Sequence, residues 1–486
     1  MSEVQDIIEL AKRRGFFWPS YSIYGGVSGF YTYGPLGSLL KRNVIRSWAD
    51  AYLSIGAIMV ESPVVSPESV FRASGHLERF NDLIYECSRC GNRQKFESLL
   101  KEEEKGREFD QESAQGYVRE RKLQCSSCRS DRITVKEYSL MFPLGKNDKA
   151  EERLYLRPET AQGIFLDFQL LLNQNRGKLP MIVIQTGGGF RNEVAPRNAL
   201  VRLREFSMGE VEVFIDPETE PFRPDASYGE VHFLDNTGKV EMLSPFDASG
   251  KGVVRDPAMA YFIQRTHMLL VSLGVDPERL RFRQHLKSEL AHYSSDCWDA
   301  EALMDGDWLE IVGIADRGTY DLKRHGDVSG TSMEVRDGER KFIPRVIEPA
   351  HGIDRIVMAI MAHSRKVTGR GYVVMSFRNG VAPYHVGIFP LFKKDGLAEI
   401  ARELYRNYSS IDAACIYDES GSIGKRYARQ DEAGTPYCIT VDYETRNDKA
   451  VTVRERDTGK QVRISIEELT SVPILQNAKL AEKFSQ

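Results

Sequence analysis

Apolar positions along this chain change period repeatedly, and the changes mark out its elements. The opening stretch, MSEVQDIIELAKRRGFF, places Ile and Leu at helical spacing among charged residues, which predicts an amphipathic helix. A Gly/Tyr-rich segment, YGGVSGFYTYGPLG, follows. Next, LLKRNVIRSWADAYLSIG predicts a longer helix leading into the strand-like AIMVESPVV. The run MIVIQTGGGFRNEV predicts a buried strand, APRNALVR a loop, and LREFSMGEVEVF the returning strand of a hairpin. Because strand side chains alternate, Arg191 and Glu193 are expected on one face of the first strand. Arg204, Phe206, Met208 and Glu210 are expected on one face of the second. FIPRVIEPAHGIDRIVMAIM predicts a strand ending near Glu348, then an apolar helix with Arg355 in its first turn.

Two stretches break this order. Residues 86–134 hold two C-x-x-C pairs around a charged middle, KEEEKGREFDQES. Residues 217–290 are turn-rich, then helical in DPAMAYFIQRTHMLLVSLG, and read as a second insertion. The main domain is thus expected over 1–85 and 135–370. From about residue 380 strands alternate with helices, in APYHVGIFPLF, KDGLAEIARELYRNY, AACIYD and YCITVD. That alternation predicts a separate domain over 375–486 with a small parallel or mixed sheet. Within it GSIGKR has neither the glycine spacing nor the following Ser or Thr of a phosphate loop.

Composition narrows the class. A chain of 486 residues is long enough for two or three cores. Its 41% hydrophobic and 28% charged content is that of a soluble globular protein. The net charge of −4 means that any RNA contact must use local basic patches. No secretory signal or membrane-length apolar run is present, and the seven cysteines do not form a disulfide framework, so a cytoplasmic protein without membrane contact is expected.

The chemistry lies in a few charged residues. Arg191 follows an apolar strand, and Arg355 stands at a helix start, where a cation opposes the helix dipole. Both positions suit a bound polyanion, which paired guanidiniums grip bidentately. Cys87, Cys90, Cys125 and Cys128 have the spacing of a four-thiolate zinc site that would staple the base of the insertion. The competing reading is a redox pair. Cys297, Cys415 and Cys438 read as inert core thiols.

The words LRPETAQGIF, FRNEVAPRNALVRLREF, ELAHYSSDCWDAE, EIVGIADRGTYDL and EPAHGIDRIVMAIM resemble those around motifs 2 and 3 of class II aminoacyl-tRNA synthetases. They narrow the resemblance to the glycyl-tRNA synthetases of the dimeric archaeal and eukaryotic-like type. The resemblance implies an α+β fold: an antiparallel catalytic sheet flanked by helices, a zinc-knuckle insertion and a C-terminal α/β anticodon-binding domain. Motif 1, the dimer element, would span about 38–67, motif 2 about 181–216 and motif 3 about 341–363. The implied substrates are glycine, ATP with Mg²⁺ and tRNA(Gly), acted on by a homodimer with structural Zn²⁺.

Residue by residue, the resemblance places Arg191 at the α-phosphate, Arg355 at the γ-phosphate and Phe206 on the adenine. ATP contacts would extend to Asn192, Glu193, Arg202, Glu310, Ile311, Gly352 and Asp354, with Glu310 acting through Mg²⁺. Arg197 and Arg202 would reach the remaining phosphates or the tRNA acceptor end. The glycine pocket would comprise Glu159, Phe206, Ser207, Met208, Gly209, Glu210, Glu348, Ala350 and Gly352. Glycine offers only an ammonium, a carboxylate and two hydrogens, so carboxylates crowding its α-carbon would both bind the ammonium and repel an added methyl. One position departs from the family: Ala350 stands where Glu-Pro-Ser is usual, and His351 is the neighbour available to replace the lost hydroxyl. Arg93 is a further candidate contact, while neither His76 nor His292 reads as a general base. Two alternatives remain: a non-catalytic synthetase-like nucleic-acid-binding subunit, and a class II synthetase for another small amino acid.

Overall fold

The computed structural model describes residues 2–485 apart from 101–103, 105–108, 147–151, 197 and 292. Among the described residues the largest sheet has nine strands. From one edge they are Val240–Leu243, Val231–Leu234, Leu280–Gln284, Asp296–Met304, Asp307–Gly318, Arg345–Gly352, Glu205–Ile215, Met181–Phe190 and Ile58–Met59. Neighbours run antiparallel except at Val231–Leu234 beside Leu280–Gln284, and at Met181–Phe190 beside Ile58–Met59. This is the mostly antiparallel α+β architecture expected. Segment 217–290, anticipated as an insertion, supplies three of these strands. Its helix Pro257–Leu273 buries Phe262, Ile263 and Leu270 in the same core as the central strands. That helix has Pro257 at its first turn, Asp256 capping Ala258 and Met259, and Gly274 ending it at φ +107°.

Two helices fix the central strands from one side. Ile353–Ser364 is buried almost throughout, and it packs against Pro35–Leu53. From the latter, Trp48 lies flat on the sheet at Gly209, where a Cβ would come within 2.8 Å of the indole. Any larger residue there would push the helix off the sheet.

Two strand ends differ from expectation. The strand meant to carry Arg191 and Glu193 stops at Phe190. The Arg191 N–H still bonds to Arg204 O at 2.9 Å, but Asn192 N turns to Leu140 O and Glu193 N folds back onto Arg191 O. With those donors out of the ladder, Arg191 and Glu193 share no strand face. Likewise Arg204 precedes the strand Glu205–Ile215. Glu348, by contrast, lies in mid-strand: Arg345–Gly352 pairs with Asp307–Gly318 through Glu348 and Pro349, and with Glu205–Ile215 at Ile347 before them and Ala350 after them.

A three-stranded sheet, Arg93–Lys95, Asn81–Cys87 and Ile133–Ser139, carries the cysteine pairs over its own small core of Tyr85, Phe96, Tyr117 and Val118. The C-terminal five-stranded sheet orders Cys415–Tyr417, Val386–Pro390, Tyr437–Val441, Ala450–Glu455 and Gln461–Ser465, the first three parallel and the rest antiparallel. No helix among the described residues is long and apolar enough to cross a membrane.

Candidate active site

A cavity of about 290 Å³ opens on one face of the large sheet, basic at one end and acidic at the other. The three-glycine run before Arg191 makes room for it. A Cβ on Gly187 would lie 2.0 Å from the Arg157 guanidinium, and one on Gly189 2.7 Å from the Phe206 ring. Bare backbone at both positions lets these side chains lie down on the strand.

At the basic end, Arg191 bonds through Nε to Pro158 O at 3.3 Å. Its guanidinium lies 5.2 Å from the Phe80 ring centre and 5.3 Å from that of Phe206. Arg355 bonds to two carbonyls, Val201 O at 3.1 Å and Glu310 O at 2.9 Å, and meets the Glu310 carboxylate at 3.2 Å. Partial desolvation in the cleft works against ionisation of Glu310, whose side chain stays half exposed, but Arg355 and Arg191 outweigh it and hold that carboxyl below its usual range. Arg202 lies 4.0 Å from Glu193. Asp354 fixes the hairpin from behind, accepting from Ser207 N at 2.6 Å, Tyr33 Oη at 2.5 Å and Lys41 Nζ at 3.0 Å.

At the acidic end, Glu159, Glu210 and Glu348 line the cavity over Arg317, which is 1% exposed. Arg317 Nη1 donates to both oxygens of Glu348 at 2.9 and 2.8 Å. Its Nε and Nη2 take the two oxygens of Asp321 at 2.7 and 2.9 Å. The Tyr293 ring stacks on the guanidinium at 3.9 Å. Burial also opposes ionisation of Glu159, but His76 and Arg317 hold it well below the ordinary range. Glu210 goes the other way. Burial first, then Glu348 and Glu159, push it up to about 8 despite hydrogen bonds from the Thr160 N–H and hydroxyl.

Of the residues singled out from sequence, Asn192 and Gly209 do not line this cavity. Asn192 turns toward Leu140 through its backbone, and Gly209 faces Trp48. The other ATP-binding and glycine-binding candidates all line it. His351 does not stand in for the missing hydroxyl. It is fully buried, bonded to Tyr52 Oη and Gly209 O at 3.2 Å each, and burial lowers it to about 4. Arg197 and His292 lie outside the described residues.

The four cysteines of the two pairs meet. Sγ of Cys87 lies 3.6 Å from that of Cys128, and Cys90 from Cys125 at the same distance. All four sulfurs lie within 4.8 Å of one another. A zinc ion about 2.3 Å from each sulfur requires tetrahedral edges of about 3.8 Å, so the cluster fits. Each knuckle is closed by a left-handed residue after its second cysteine, Gly91 at φ +70° and Arg129 at φ +54°. Arg93 is bonded to Glu86 on the surface of the same small sheet, at 2.8 and 3.1 Å.

Comparison with known proteins gives the family. Residues 138–223 match the tRNA synthetase class II core domain (G, H, P, S and T), and 385–476 match the anticodon binding domain. The chain is 37% identical to a glycine–tRNA ligase of Methanothrix thermoacetophila over 97% of its own length and 96% of that relative. It belongs to the glycine–tRNA ligase family. A Methanocaldococcus jannaschii member is 35% identical, covering 96% of this chain and 97% of that one. A Pyrococcus furiosus member is 36% identical, covering 95% and 96%. In fold the chain resembles Giardia lamblia prolyl-tRNA synthetase in complex with prolyl-adenylate, with TM-score 0.61 and 15% identity, covering 97% of this chain and 75% of that one.

Several site residues went unremarked in the sequence. Arg317 and Asp321 stand in the family word EIVGIADRGTYDL, and Thr160 in LRPETAQGIF. An arginine four residues before an aspartate, at a strand-to-helix passage, was the available signal. Asp299, also in the cavity lining, is gripped by His285 at 2.7 Å and Arg283 at 3.3 Å.

Proposed function

We propose that the chain attaches glycine to tRNA(Gly) in two steps, through glycyl-adenylate. The observation that carries this reading is the polarity of one cavity. Two guanidiniums with donors to spare stand at one end, and three carboxylates around a saturated arginine at the other. A carboxylate cage suits a small ammonium ion and leaves no apolar recess for a side chain. The glycine carboxylate would then lie toward Arg191 and attack the α-phosphorus of ATP. The new bond is that of a mixed carboxylic–phosphoric anhydride, and pyrophosphate leaves with both electrons of the broken bond. No general base is needed, because the nucleophile is already an anion. Catalysis is therefore positioning and charge neutralisation. Arg191 would hold the α-phosphate, Arg355 the γ-phosphate, and Phe206 the adenine face. The Mg²⁺ that travels with ATP would be held by Glu310, since hard cations prefer carboxylate oxygens.

Further parts of the reading concern assembly. Residues 1–85 and 135–370 would form the catalytic domain, with 217–290 as an elaboration of its sheet, and 375–486 would read the tRNA anticodon. Cys87, Cys90, Cys125 and Cys128 would hold a structural Zn²⁺ with closed coordination. The helix and strand of 38–67 would pair two copies into a homodimer working in the cytoplasm. ATP–pyrophosphate exchange with a panel of amino acids tests the core of this proposal. Exchange is expected with glycine and not with alanine, serine, threonine or proline. Exchange with none of them would leave a binding subunit, and preference for another amino acid would move the assignment.

A further inference from the structure

We propose that glycine enters its pocket in exchange for a proton: the ammonium docks among Glu159, Glu210 and Glu348 as the Glu210 carboxyl releases its proton to solvent, while Glu212 behind them remains a neutral acid. This deepens the functional reading above and rests on it.

The argument starts from Glu212. It is fully buried, does not line the cavity, and neither of its oxygens has a hydrogen-bond partner among the described residues. It shares a strand face with Glu210. No cation near these two acids forms an ion pair with either of them among the described residues. Arg317 gives its donors to Glu348 and Asp321. Arg157, whose charge is felt by Glu210, gives Nε and Nη1 to the carbonyls of Gly188, Ser62 and Pro63 and forms no ion pair with that carboxyl among the described residues. His76 faces Glu159 at 3.5 Å, and His325 bonds to Gln162. His351 stays neutral, and Gln185, paired with Glu210 across the sheet, carries no charge. Tyr293 stacks on Arg317, and exposed Glu61 adds only another negative charge facing Arg157. Five carboxyl groups, Glu159, Glu210, Glu212, Asp321 and Glu348, are therefore buried together, and among the described residues Arg317 pairs with Asp321, Glu348 and Glu159 while no cation forms an ion pair with Glu210 or Glu212. An ionised buried carboxylate without a counterion is costly, so these groups keep protons instead. Burial and the neighbouring acids raise both groups accordingly.

The substrate changes this for one of them only. Glu210 lines the cavity and Glu212 does not. An arriving ammonium provides the counterion that Glu210 lacks. The O–H bond of its carboxyl breaks, the proton goes to water, and the ammonium keeps its own protons. One positive charge replaces another at the acidic end, so the charge there is unchanged, and the glycine carboxylate lies toward Arg191 at the other. A methylammonium-sized cation completes the site, whereas a neutral ligand cannot drive the proton off.

Calorimetric titration of glycine into the full-length protein tests this, in two buffers of very different ionisation enthalpy. Near pH 7 the two heats should differ by close to one proton per glycine bound, and the difference should vanish near pH 9. The KM for glycine in exchange should rise about tenfold for each pH unit below 8 while kcat stays level. Glu210→Gln should abolish the proton release. Glu212→Gln, which replaces a neutral acid by a neutral amide, should leave both the release and the KM profile near wild type. Equal heats in both buffers near pH 7, with glycine binding normally, would overturn the exchange while leaving the ligase reading intact. A strongly raised KM in a folded Glu212→Gln variant would show that Glu212 is ionised and overturn its part. Failure of glycine to support exchange at all would overturn the reading on which this rests.

Discussion

The basic and acidic ends of the cavity both depend on arginine, under opposite conditions. Arg317 is 1% exposed, and Asp321 and Glu348 together occupy its Nε, Nη1 and Nη2. The Arg191 side chain has one protein hydrogen bond among the described residues and two aromatic faces for company, while Arg355 leans on carbonyls and a single carboxylate. An arginine whose donors are all taken by carboxylates sets the geometry of those carboxylates. An arginine held by its edge, with donors left over, is positioned for something that arrives. Residue type is the same at both ends, and the count of committed donors separates their roles.

The largest effect should come from breaking the saturated end. Arg317→Met should cost about 3–5 kcal/mol, because it strands buried carboxylates without their partner. The urea midpoint should fall sharply, or soluble protein should be lost. A variant of wild-type stability would mean that the acidic cluster does not lean on Arg317. At the open end the expectation is reversed. Arg191→Ala and Arg355→Ala should each lower adenylate formation by about 10²–10³-fold, since each removes a preorganised donor for transition-state charge. Their unfolding midpoints should stay close to wild type. Exchange activity near wild type in either variant would sink the phosphate assignment.

That contrast also explains what could be read from sequence. Arg191 and Arg355 stood out because each sits beside an apolar run where a structural arginine is out of place. Glu159, Glu210 and Glu348 stood out through their surrounding words. Arg317 and Glu212 did not, because alternation along a strand gives two faces and does not say which is covered. Both faces of the central strands are covered here. The burial of Glu212 is decided by what packs across the sheet, not by anything near it in sequence. Long-range pairing likewise governs 217–290. Its turn-rich composition suggested an insertion, yet Val231–Leu234 joins the sheet through Leu280–Gln284, with Phe233 paired to Phe282 far downstream. The end of the Met181–Phe190 strand was missed because backbone donors leave the ladder for Leu140, a partner no local pattern reveals.

The cysteine cluster offers a smaller test, since it belongs to neither end. Purified protein should contain one zinc per chain by elemental analysis, and a Cys87→Ser, Cys125→Ser variant none. Adenylate formation should survive zinc loss far better than it survives loss of Arg191. Equal loss in both variants would mean that the insertion shapes the cavity directly.

The smallest expected effect lies at Ala350, on the floor of the cavity between the two ends. Its strand pairs with Glu210 on one side and Gly313 on the other, so a serine hydroxyl there would meet the substrate without displacing a large neighbour. A hydrogen bond formed equally in ground and transition states adds uniform binding, which lowers KM and leaves kcat alone. One such bond is worth about 0.5–1.5 kcal/mol net, a change of about 2–10-fold. Ala350→Ser should therefore lower the KM for glycine within that range at constant kcat, because His351, turned away toward Tyr52, leaves the place of the hydroxyl unfilled. The sign matters more than the size. A raised KM would mean that the bare methyl of Ala350 is part of the fit, and that the acidic end alone holds the amino acid.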